Sequence, residues 1–168
     1  AQIRDQLRRM GQLLERRDLA ERVIATMDKR WSELAASPTI SAPTLMQYAP
    51  GGYTVGRQSL VGDIIYHSGW RNPASSAGIS TTGIVDLETL LLLAPLALID
   101  SPLAPDNYSF AEKMLQHPVL RKTPLPRIRV SVARKYWICG GPMVIEALAS
   151  LRAAREAIEN NSQDGVKP

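Results

Sequence analysis

From Ala42 onward, short apolar segments of strand character alternate with segments of helical pattern. That alternation restricts the chain to an α/β fold with a mostly parallel sheet and right-handed crossovers. Thr44-Leu45-Met46-Gln47-Tyr48 reads as a buried strand ended by Pro50-Gly51-Gly52. Arg57 to Ser68 reads as a helix closed by Gly69, and Leu87 to Leu93 as a short helix capped by Asp86. Leu96-Ala97-Leu98-Ile99 is the second strand, followed by Asp100-Ser101-Pro102. Tyr108 to Gln116 reads as a helix stopped before Pro118, and Ile128 to Val132 as the third strand. Pro142 to Glu159 is a closing helix with proline in its first turn, and Asn160 to Pro168 a frayed tail.

The first thirty-six residues follow a different rule. Leu7, Met10, Leu13, Leu14, Val23, Ile24, Met27, Trp31 and Leu34 recur at helical spacing, separated by charged and amide residues. Gly11 and Glu15-Arg16-Arg17-Asp18 predict a break, then a longer helix from about Asp18 to Ala36 that ends at Ser37-Pro38. Its acids near the start and Lys29-Arg30 near the end suit the helix dipole. So much apolar surface on a helix implies that it packs along something large.

Composition narrows the function classes. At 168 residues and 45% hydrophobic content, the chain suits one compact domain and not a disordered or fibrous one. Its single cysteine, Cys139, excludes an internal disulfide framework and a cysteine-rich zinc module. The longest apolar run, Leu90 to Ile99, is broken by Pro95 and falls short of the ~20 residues a membrane helix needs. The start, Ala1-Gln2-Ile3-Arg4-Asp5, has no signal-peptide character. Seven basic residues, Lys113, Arg121, Lys122, Arg127, Arg129, Arg134 and Lys135, occur with no acid among them. This stretch suits a solvated face or an anionic small ligand; nucleic acid fits least, because no helix-turn-helix, RRM or finger pattern accompanies it.

In an open parallel sheet, ligands bind beyond the carboxyl ends of the strands. That rule selects Ala49 to Gly56, Asp100 to Pro105 and Ala133 to Gly141. The first and third combine glycines, which let a backbone approach a ligand, with Tyr53, Tyr136 and Trp137, which offer flat contact surface. Trp137 reads either as a ligand contact or as a lid over the sheet edge. Gly51 to Gly56 matches neither G-x-G-x-x-G nor a Walker A loop, although Thr54 or a neighbour could cap the next helix and leave amides free for an anion. Cys139 could act as a nucleophile with His67 or His117, but both histidines fall at helix carboxyl ends, on the rim away from these loops. Asp100 has no acidic partner after the other two strands, so no catalytic set emerges.

The order of these pieces resembles the periplasmic substrate-binding proteins of ABC importers for iron-siderophore complexes, haem and cobalamin. The resemblance rests on Leu19-Ala20-Glu21 and Trp31 in a long helix, then Gly51-Gly52-Tyr53 with Gly56, then Gly69-Trp70-Arg71-Asn72. Val85-Asp86-Leu87-Glu88, Pro95-Leu96-Ala97-Leu98-Ile99, His117-Pro118-Val119-Leu120 and Tyr136-Trp137-Ile138-Cys139-Gly140-Gly141-Pro142 complete it. It implies a three-layer lobe with a mostly parallel sheet, preceded by a long amphipathic backbone helix. Residues 1–36 would be the end of an amino-terminal lobe and the interdomain helix, and residues 37–168 the carboxyl-terminal lobe.

The resemblance further implies recognition and not reaction, with no cofactor, no nucleic acid and a monomeric receptor in the periplasm. The ligand would be a ferric chelate, haem or corrinoid, delivered to an inner-membrane ABC permease. Gly52, Tyr53, Ser101, Arg134, Tyr136 and Trp137 would contact it, with Arg134 neutralising negative charge and a tyrosine able to reach the metal. Glu112, or Asp106 beside it, would dock to the permease. The alternatives are a small α/β enzyme using Cys139 or a nucleotide, and an interaction module that dimerises through its first helix.

Overall fold

The computed structural model describes residues 2–100 and 128–164. It opens with two antiparallel helices, α1 (Gln2–Leu13) and α2 (Arg17–Leu34). Two side-chain pairs brace them, Arg4 Nε to Asp28 Oδ1 at 2.8 Å and Arg8 Nε to Glu21 Oε1 at 2.9 Å. Gly11 is buried at their contact, where a Cβ would lie 2.5 Å from that of Ala20. The break therefore falls three residues after Gly11, at Leu14 to Arg16, with Glu15 at φ 54° making the turn.

The sheet has three strands: β1 (Leu45–Gln47), β4 (Ala97–Asp100) and β5 (Ile128–Ser131). They run parallel in the order β1-β4-β5, with Met46 opposite Leu98 and Ile99 opposite Val130. Alternate residues supply two cores. Leu45, Ala97, Ile99 and Val130 face α3 (Leu60–His67) and α5 (Val144–Asp164), joined by Ile64, Ile65, Ala147 and Leu148. Met46, Tyr48 and Leu98 face the opposite side, against Leu90 of α4 (Leu87–Leu93), Val85 and Ala74. Helices on both faces make the three layers that the resemblance implies, around the parallel sheet that the strand and helix alternation predicts.

Three short pieces of sequence set the frame. Asp86 caps α4 by accepting from Thr89 N at 2.7 Å, as expected from its position. Ser59 caps α3, so that helix begins at Leu60 and not at Arg57. Gly69 to Asn72 extends the sheet beyond β1: Arg71 bridges Thr44 in parallel and its Nε donates to Ala42 O at 2.7 Å. Trp70, with no exposed surface, anchors the segment through Nε1 to Leu151 O.

An element absent from the sequence reading is a two-stranded antiparallel ribbon, β2 (Tyr53–Val55) with β3 (Thr82–Ile84). Three-residue strands in turn-rich sequence give no detectable period, which is why 53–55 reads as loop. The expected helix Tyr108–Gln116 lies outside the described residues. Among the described residues, no helix is long and apolar enough to cross a membrane.

Candidate ligand-binding face

Gln47, Asp100 and Ser131 end the three parallel strands, so the loops that follow them share one edge of the sheet. α3 and α5 both begin at that edge, and their amino-terminal dipoles favour negative charge there. The β2–β3 ribbon is fastened to the same edge. Thr54, fully buried, donates its hydroxyl to Gln47 O at 2.6 Å instead of capping α3. Asn72 holds the ribbon's other end by donating to Val55 O at 2.8 Å.

Gly52 and Tyr53 occupy this fastening in different ways. Gly52 is buried at φ 77°, and its carbonyl accepts from Val85 N at 2.9 Å. A Cβ there would overlap the Val85 carbonyl oxygen, so the glycine allows two backbones to approach and leaves nothing free for a ligand. Tyr53 is 42% exposed, and its cross-strand partner Ile84 is 77% exposed. Together they form an aromatic and aliphatic shelf beside the end of β1. Ile84 was missed in the sequence because only strand pairing brings it beside Tyr53.

After β5 the chain makes a 3₁₀ turn over Arg134–Tyr136. Arg134 is exposed, and its carbonyl accepts from the amides of Trp137 and Ile138, which holds the turn in place. Lys135 Nζ lies 5.3 Å from the ring centroid of Tyr136, which is half-buried against the core. Trp137 is only 6% exposed and packs into the core below the edge with Val144 and Leu148. Its ring is a floor of the fold, and the side chains this loop exposes include Arg134, Lys135 and the 61% exposed Ile138, with Tyr136 partly so.

Cys139 is exposed in the same loop. His67 ends α3 on the other rim, where its carbonyl accepts from Ala36 N ahead of β1. The geometry thus keeps this thiol and imidazole apart. Among the described residues no group of three or more His, Cys, Asp or Glu could hold a metal ion. Ser101, Asp106, Glu112 and His117 lie outside the described residues.

Several solved structures share this arrangement of elements. The periplasmic haem-binding protein RhuT from Roseiflexus sp. RS-1 superposes with TM-score 0.73 at 21% identity, over 90% of this chain and 62% of that one. An ABC-type Fe3+-hydroxamate transport protein from Saccharomonospora viridis gives TM-score 0.69 at 18% identity, over 90% of this chain and 54% of that one. The haem-binding protein BhuT, solved with two haems, gives 0.69 at 19% identity, over 90% of this chain and 60% of that one. The chain shares its fold with the matched part of these periplasmic binding proteins. It spans somewhat more than half the length of those receptors, and the resemblance read from the motif order holds at the level of fold. No family model and no curated protein matches the sequence itself.

On this fold the motifs acquire structural meaning. Gly51-Gly52-Tyr53 turns the chain back into the ribbon, and Trp70-Arg71-Asn72 pins β1 and β2 to the body. Most of the resemblance thus resides in residues that build the edge.

Proposed function

We propose that the chain is the carboxyl-terminal lobe, with its backbone helices, of a periplasmic receptor that captures an iron complex for an ABC permease. Residues 1–36 would form the end of an amino-terminal lobe and the interdomain helix, and residues 37–168 the carboxyl-terminal lobe. The observation that supports this most is the composition of one edge. An exposed Tyr53–Ile84 shelf follows β1, and exposed Arg134 and Lys135 follow β5. Two strand spacings separate β1 from β5, about 10 Å, a span suited to a flat macrocycle with acidic substituents.

Among iron complexes, haem fits this edge best. Its apolar face would rest on Tyr53 and Ile84 while its propionates meet Arg134 and Lys135, whose charges are reinforced by the starts of α3 and α5. Tyr136 would border the ring. A ferric siderophore is the second reading, supported by the hydroxamate-system neighbour, whereas nothing beyond the sequence resemblance favours a corrinoid. One lobe alone leaves half the ligand in water, so the affinity of this chain would be modest. Ser101 would contribute from the β4 loop, and Glu112, with Asp106 beside it, would serve permease docking.

Absorbance titration with ferric haem, and separately with a ferric hydroxamate, tests the reading. Saturable haem binding that weakens at least tenfold in both Tyr53→Ala and Arg134→Glu supports it. Saturable binding of neither compound would overturn it.

A further inference from the structure

We draw no further inference here: the strongest candidate, the apolar patch of Met10, Leu13, Leu14 and Leu19 exposed at the tip of the α1–α2 hairpin, carries nothing because nothing in the structure shows what covers it.

Discussion

Tyr53 and Ile84 face each other across the β2–β3 ribbon, and both remain exposed although each is large and mostly apolar. A cross-strand pair of this kind usually stabilises its ribbon by about 0.2–1 kcal/mol. Here the ribbon is already held by Thr54 to Gln47 and Asn72 to Val55, so the pair is free to serve a ligand.

Substitutions at the shelf should therefore separate binding from stability. Ile84→Glu is expected to weaken haem binding at least tenfold while shifting the unfolding free energy by less than about 1 kcal/mol. Parallel haem titration and urea unfolding check this. Equal losses in both would mean that the pair is structural.

Gly52 should behave in the opposite way. Gly52→Ala places a Cβ against the Val85 carbonyl at a left-handed φ of 77°, so it should destabilise the fold by about 1–3 kcal/mol. Urea unfolding measures the loss. A variant as stable as the parent would show that the turn can move away from Val85.

Trp137 is expected to act as core. Trp137→Ala should cost about 3–5 kcal/mol through the cavity it leaves, whereas Trp137→Phe should fold and keep haem affinity within threefold. Denaturation and haem titration of the two variants decide this. A tenfold affinity loss in the phenylalanine variant at native stability would return Trp137 to the ligand contacts.

Acid should loosen the α2–α5 junction. The Arg30 hydrogen bond holds the Glu146 carboxyl below the ordinary carboxylate range. The pair's contribution is thus complete above that range and fades as pH falls through the lower folded-state value. Both side chains are more than two-fifths exposed, so screening by water and salt keeps the effect small. Unfolding measured against pH should show a steeper acid loss in the parent than in Glu146→Gln, and identical slopes would contradict the linkage.

How much of this was legible beforehand depended on the length of the signal. β1, β4, β5 and α4 with its Asp86 cap could be read because each combines an apolar run with a clear start or stop. The β2–β3 ribbon could not, since three residues per strand establish no alternation and paired residues lie at least 27 positions apart. The same distance hid Ile84. Trp137 looked like a ligand contact because it sits among glycines, and sequence cannot show that the 3₁₀ turn before it directs the ring into the core. Sequence marks Gly52 as a site of backbone freedom, whereas its role depends on the nearness of Val85.

The central claim is that the loops after β1 and β5 form one ligand edge. Chemical-shift mapping of the isotopically labelled chain with gallium protoporphyrin IX, a diamagnetic stand-in for ferric haem, tests it most directly. The account predicts saturable shifts concentrated at Gly51 to Val55, Ile84 and Arg134 to Gly141. Shifts centred on α4 or the far rim around His67, or none at millimolar macrocycle, would contradict it.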